Sequence, residues 1–335
     1  MKRIKMANKK LMEIAIETLQ KHGKTAFDIA KKAILKEKIE YKPVADALRY
    51  FSEEIWCDYQ HPALLSLACE AVDGDPRKTW NVGAAIAILS GAVDVHDDII
   101  DKSEIKASKQ TVYGKFGEDI ALLVGDTLLF DGLSFLHEAC GKLPMEQCEQ
   151  ILRLTQAAFF EIGNAEAKEA SFKTKNSLKT TEYFEIIIGK AAVAEACMRI
   201  GTIIGGGKIT EIDMLGHYGR TLATLMIIRD EFIDIFEPDE LKHRAENECL
   251  PFPILCTFQN LETREKIMHV LNNAVLSEDD AYKIAKIVMK TKDVQKLKKE
   301  MQLRIREEIE HISPVRNKKI LAKLKLLLRA TIEDL

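Results

Sequence analysis

The sequence predicts an all-α protein, and three observations carry that prediction. Only 8 Pro and 17 Gly occur in 335 residues, few of the residues that punctuate sheets and long loops. Apolar residues recur at helical spacing in segment after segment, with short breaks between them. No βαβ alternation, Gly-rich phosphate loop or long internal repeat is legible. With 47% hydrophobic and 30% charged residues, the chain can fill a large core and solvate its surface. No linker rich in Gly, Pro or Ser divides it. The expectation is a single all-α domain over residues 1–335, with peripheral helices over about 280–335.

Taken in order, "NKKLMEIAIETLQKHG" reads as a helix capped at its end by Gly23. "HPALLSLACEAVDGD" starts a helix around Pro62 and stops at Asp73-Gly74. "WNVGAAIAILSGAVDVHDDIID" is apolar on nearly all sides, the pattern of a buried central helix. "DIALLVGDTLLFDGLSFLHEAC" and "MEQCEQILRLTQAAFFEIGNAEAKEA" follow as helices, then a polar loop, "SFKTKNSLKT". "TEYFEIIIGKAAVAEACMRIGTIIGGG" reads as one helix closed by three glycines, and "ITEIDMLGHYGRTLATLMIIRDEFIDIF" as the next. After "LPFPIL" the segments shorten, ending on the amphipathic "NKKILAKLKLLLRATIEDL".

A formal net charge of −3 gives no electrostatic reason to expect nucleic acid as a partner. The basic start "MKRIKMANKK" and the Lys-rich tail read as solvated helix faces. Seven Cys without a CxxC pair or a Cys/His cluster are expected to be reduced thiols of a cytoplasmic protein, and suggest no zinc site. Glu13 and Glu17 interrupt any signal-peptide core, and no stretch offers the roughly 20 uninterrupted apolar residues of a membrane span.

The chemistry lies in two acidic clusters. Asp94, Asp97, Asp98 and Asp101 are spaced by three and four, so on a helix they share one face. Carboxylates crowded on an otherwise apolar helix are costly unless something neutralises them. The arrangement recurs in "LATLMIIRDEFIDIF", with Asp230, Glu231 and Asp234 at the positions of Asp97, Asp98 and Asp101. Two such helices packed around one core could point both clusters into one cavity. Oxygen ligands of that kind call for hard divalent cations, and Mg²⁺ leaves room for substrate phosphates.

On "HDDIIDKSEIKASKQTVYGKFGEDIALLVGDTLL", "EYFEIIIGKAAVAEACMRIGTIIGG" and "IIRDEFIDIF", the chain resembles the trans-polyprenyl (isoprenyl) diphosphate synthases, class I prenyltransferases. The resemblance runs from about Ala63 to Pro253. It implies an isoprenoid synthase-type antiparallel helical bundle around a deep central cavity, usually dimeric. It also implies Mg²⁺ bound by Asp97, Asp98, Asp101, Asp230, Glu231 and Asp234, where Glu231 replaces an Asp. An allylic diphosphate would ionise there and condense with isopentenyl diphosphate. Lys106, Lys190 and Arg229 are the cations expected to meet substrate diphosphate. Ala92 and Val93 would floor the cavity and set chain length, and Asp94 is an additional acid where the family has an apolar or small residue.

The same resemblance exposes departures. Asp58, Tyr59 and His61 stand where the family carries the Lys, Arg and Arg that hold isopentenyl diphosphate, while Pro62 of that motif remains. Lys106, Ala107 and Ser108 replace Arg-Arg-Gly, and "EPDELKHRAENECLP" replaces a Gly-Lys segment. Lys242, His243 and Arg244 there are expected in a solvated charged loop. Isopentenyl diphosphate is therefore expected to bind weakly, or only with a partner subunit in a homodimer or a heteromer with a related synthase. The alternatives are a terpene synthase or prenyltransferase that uses only the allylic site, or a non-catalytic regulatory subunit.

Overall fold

The computed structural model describes residues 2–36, 39–173 and 179–333, with the side chains of residues 2–10 excepted. The solvated-face reading of the basic start and the middle of the "SFKTKNSLKT" loop fall outside those residues. Helix α1 runs Lys2–Lys36, α2 Lys42–Tyr50, and α3 Gln60–Ala71. Helix α4, Trp80–Ile100, is the central one, followed by a short hairpin, β1 Ile105–Lys106 and β2 Lys109–Gln110. Next come α5 Val112–Phe116, α6 Glu118–Cys140, α7 Met145–Phe172, α8 Thr180–Lys190, α9 Ala192–Ile204 and α10 Ile209–Asp234. The chain closes with α11 Pro238–Asn247, α12 Phe252–Thr257, α13 Leu261–Leu271, α14 Glu278–Val288, α15 Lys292–His311 and α16 Lys318–Ala330.

Helix α4 is buried as its composition predicts: Val82 and every residue from Ala84 to Leu89 are at most 1% exposed. It packs along α6, where Gly125 lets the backbone approach; a Cβ there would lie 2.3 Å from His96 Nε2. On the other side of the bundle, α9 packs between α3, α7 and α10. Helix α6 is long and apolar enough, by length and composition alone, to cross a membrane. Here it is a bundle helix whose apolar surplus, Leu122, Leu123, Phe130 and Leu133, faces outward.

Four expectations need correction. Gly23 does not cap α1, which continues to Lys36; a Cβ at Gly23 would sit 2.2 Å from the Tyr59 carbonyl oxygen, so the glycine serves a close crossing in mid-helix. The segment 181–204 is two helices, not one, broken at Ala191 immediately after Lys190. The tail is not peripheral: Val294, Met301, Leu324 and Leu328 belong to the same buried cluster as Leu64, Ile86 and Ile200. Tyr218 of α10 donates its hydroxyl to the Leu324 carbonyl at 2.9 Å, tying α16 to the centre. Finally, residues 238–247 are helical, started by Pro238 in the first turn, where a loop is expected.

Candidate active site

The first acidic cluster occupies the last two turns of α4. Asp98 is buried, and Asp97 and Asp101 are partly buried. Lys106 Nζ lies 2.6 Å from Asp98 Oδ1 and 3.8 Å from Asp97 Oδ2. The hairpin aims it there: Ala107 and Ser108 both have positive φ, at 48° and 62°, the backbone that a two-residue hairpin turn demands. Tyr50 Oη donates to the Gln110 carbonyl at 2.7 Å and Thr111 Oγ1 to the Ser103 carbonyl at 2.7 Å, so the hairpin is anchored on both sides. Lys173, at the end of α7, donates to the Asp101 carboxylate and to the Ile100 carbonyl. Burial raises the carboxyls of Asp98 and Asp101, with Lys106 opposing it at the first and Lys173 at the second. Asp97 Oδ1 is buried without a hydrogen-bond partner.

The second cluster ends α10 and is held differently. Glu231 is 5% exposed. Its Oε1 receives Tyr183 Oη at 2.7 Å and Arg244 Nη2 at 3.1 Å, and its Oε2 receives the Phe252 backbone N–H at 2.7 Å. Both oxygens are thus committed to the protein interior, and Glu231 does not join a metal-facing set. Arg244 is buried rather than solvated, reaching Asp234 Oδ2 at 2.7 Å and the Cys249 carbonyl at 3.0 Å. Burial opposes its charge, but Tyr183, Glu231 and Asp234 outweigh that and raise it. Asp230 is the open member of the cluster, with Arg229 Nη1 3.2 Å from it. Burial raises the carboxyls of both Asp230 and Asp234, offset by Arg229 and Arg244 respectively.

Lys190 ends α8 between two acids of α7. It pairs with Glu169 and lies 3.2 Å from Glu166 Oε1. Burial would lower its pKa, but Glu169, Glu166 and the nearby Asp97 hold it above the usual lysine range. Glu166 is raised by burial, with Lys190 opposing. Tyr183 Oη, 3.1 Å from Glu169 Oε1, joins this group to Glu231. A continuous polar chain, Lys190, Glu169, Tyr183, Glu231, Arg244, Asp234, therefore runs from α8 to the end of α10. The two acidic clusters meet electrostatically at Glu248, which raises the carboxyls of both Asp101 and Asp234.

Tyr183, Glu166, Glu169, Lys173 and Arg244 are site residues that spacing alone does not reveal. The one signal within reach is helical: Tyr183 and Lys190 are seven apart, so they share a face. His243, between Ser103 Oγ at 3.3 Å and Glu248 Oε1 at 3.4 Å, bridges α11 to the turn after α4.

Asp58 is an acid where the resemblance leads one to expect a basic residue, and Asp94 an acid where it leads one to expect an apolar or small one. Asp58 Oδ2 meets His61 Nδ1 at 2.8 Å, and Asp58 Oδ1 accepts the His61 backbone N–H at 3.1 Å. Asp94 opens into a cavity of about 450 Å³ that Phe51, Trp56, Asp98 and Lys106 also line. Asp94 keeps an exposed surface. Burial pushes its carboxyl up to about 7, against Lys106 and with the help of Asp58. Ala92 does not line this cavity; it is 1% exposed in a packed cluster with Phe51, Trp56 and Val95, and Val93 is half-buried.

The sequence signature of the polyprenyl synthetase family matches residues 59–288, more than half of the chain. The chain belongs to the polyprenyl synthetase family. A short chain isoprenyl diphosphate synthase of Methanothermobacter thermautotrophicus is 31% identical over 180 residues, which are 53% of this chain and 54% of that relative. The match thus spans about half the relative's length. Among solved structures, geranylgeranyl pyrophosphate synthetase from Pyrococcus horikoshii superposes with a TM-score of 0.83 at 20% identity, over 96% of this chain and 98% of that one. A polyprenyl synthase from Caulobacter crescentus, solved with calcium and isoprenyl diphosphate, superposes at 0.75 and 16% identity, over 95% and 97%. At those identities the likeness concerns the fold, which is that of the all-α isoprenoid synthases.

Proposed function

We propose that this polyprenyl synthetase is a Mg²⁺-dependent prenyltransferase that ionises an allylic diphosphate and condenses it with isopentenyl diphosphate, acting with a second subunit. The observation that carries the reading is that the two acidic clusters share electrostatic neighbours: Glu248 acts on both Asp101, at the end of α4, and Asp234 of α10, and Asp97 acts on the positively charged Lys190 at the end of α8. The unsatisfied buried oxygen of Asp97 and the all-oxygen donor set fit a hard divalent cation. Asp97, Asp101, Asp230 and Asp234 are the residues that would hold Mg²⁺, with Asp98 orienting Lys106. Bound Mg²⁺ supplies charge that stabilises the departing diphosphate.

Lys190, fixed by Glu166 and Glu169, meets the diphosphate oxygens, and Lys106 and Arg229 add charge at the edges of the cleft. The allylic C–O bond breaks, the double bond of isopentenyl diphosphate attacks the cation to form the new C–C bond, and the proton leaves to the released diphosphate. Phe51, Ile55 and Trp56, which line the cavity beside Asp98 and Lys106, would give the cation apolar contacts.

A second subunit enters the reading for two reasons. Asp58, His61 and Asp94 offer a second diphosphate no cluster of cations. The outward face of α6, with Leu122, Phe130 and Leu133 exposed, is suited to burial against another copy or a relative. The free state of all seven Cys supports a reducing, cytoplasmic setting. The anionic acceptor side also favours a second reading, an enzyme that uses only the allylic site. Incubation with Mg²⁺, a panel of allylic diphosphates and labelled isopentenyl diphosphate, with and without related subunits, separates the two. Label in a longer prenyl diphosphate supports condensation. Hydrocarbon or alcohol release from one substrate, without incorporation in any combination, overturns it.

A further inference from the structure

Far from the acidic clusters, α10 and α15 bring together His217, Glu308 and His311, whose ligand atoms all lie within 4.8 Å of one another. Glu308 and His311 are three apart on α15 and so share a face, and His217 reaches them from the adjacent helix. The two imidazole rings stand 5.1 Å apart, centroid to centroid, at 61°. Both histidines are exposed, whereas Glu308 is 2% exposed. His217 Nδ1 lies 2.7 Å from Glu308 Oε2, which Thr221 Oγ1 approaches at 3.3 Å. Glu308 Oε1 is buried with no hydrogen-bond partner. A carboxylate so deep in the protein is costly when only one of its oxygens is satisfied.

We infer that His217, Glu308 and His311 form a binding site for a transition-metal ion of the Zn²⁺ type. Two imidazole nitrogens and one carboxylate oxygen are a donor set that Zn²⁺ takes with a fourth position left to water. The same set is poor for Mg²⁺, which prefers oxygen throughout, so the two kinds of metal separate by ligand chemistry. His217 precedes Asp230 by 13 residues on one helix, about 20 Å along its axis, and the site is distinct from the acidic clusters. Bound metal would neutralise Glu308 and staple α15 to α10. The ligands come from helices some 90 residues apart in sequence, which is why Cys and His spacing gives no hint of a zinc site.

The test uses the full chain, stripped with chelator and then held in saturating Mg²⁺ so that the aspartate clusters are occupied. Titration with Zn²⁺ by calorimetry, and with Co²⁺ by visible absorption, is expected to show one equivalent bound with two nitrogen ligands. Thermal melting is expected to shift upward with Zn²⁺. His217→Ala and His311→Ala should each weaken binding about 100-fold; without Zn²⁺, His311→Ala should leave melting nearly unchanged, whereas His217→Ala, which strips Glu308 of its imidazole partner, should lower it. Asp97→Ala should bind Zn²⁺ as the parent does. Equal Zn²⁺ affinity in the His217→Ala/His311→Ala double variant, or no binding by the parent, overturns the inference.

Discussion

At the end of α4, Asp97, Asp98 and Asp101 are met by Lys106 from a hairpin and Lys173 from a helix terminus. At the end of α10, Glu231 and Asp234 are met by Arg244, itself buried, and Glu231 also by Tyr183. The spacing of the acids is the same in both places. The first set is balanced by lysines on flexible stems, Lys106 half-exposed and Lys173 largely buried. The second is split: Asp230 stays open, Asp234 shares one oxygen, and Glu231 belongs to the core. Equal spacing along a helix therefore assigns equal direction, but not equal role; the partners that reach each acid decide which of them is available to a ligand.

The comparison can be broken at several points. Asp97→Ala combined with Asp230→Ala is expected to lower kcat about 1,000-fold with the fold intact, since metal-assisted charge stabilisation is commonly worth that much; steady-state turnover of an allylic diphosphate measures it. Glu231→Ala should instead cost about 3–5 kcal/mol of stability, because it leaves Arg244 and the Phe252 N–H facing a buried gap. Urea denaturation of the two variants side by side would erase the distinction if Asp97→Ala proved as destabilising as Glu231→Ala. Lys106→Met sharpens the lysine-balanced half: the Mg²⁺ concentration for half-maximal activity should fall by about fivefold at most, the worth of a part-exposed ion pair.

A pH-dependent test concerns Asp94, one turn deeper. Its carboxyl is raised from 3.8 to about 7, so between those pH values the folded chain holds a proton that the unfolded chain releases. That contribution to stability is complete below the lower value and is lost as pH rises through the upper one. Asp94→Asn should therefore melt closer to the parent at acid pH and above it near pH 8 in metal-free buffer. A constant difference in melting temperature across that range would refute the assignment.

The main helices and the two acidic clusters were legible because each is written in local periodicity. Helix α4 is apolar on nearly all sides until its acids, the pattern of a helix buried in a core. What stayed hidden depends on approach between distant segments. Gly23 looks like a helix end until the Tyr59 carbonyl is seen against it. The stretch with Lys242, His243 and Arg244 looks like a solvated loop because its composition is polar, yet one side chain of it is the buried cation between Glu231 and Asp234. Lys106 can be marked as a cation near the cluster, but Ala107 and Ser108 carry no hairpin signal of the Asn-Gly kind, so its aim could not be read.

By itself, the sequence determined that the chain is helical and that two helices end in matched acids; its resemblance to the family adds that cations are missing at Asp58 and His61. Those are properties of residue type and spacing, and they hold before any segment meets another. The tertiary structure alone decided that Glu231 is committed to the interior, that Lys190 is held by Glu166 and Glu169, and that His217 meets Glu308 and His311. Each of those depends on burial and on partners remote in the chain, because a charged group is assigned its role by what desolvates it and what neutralises it.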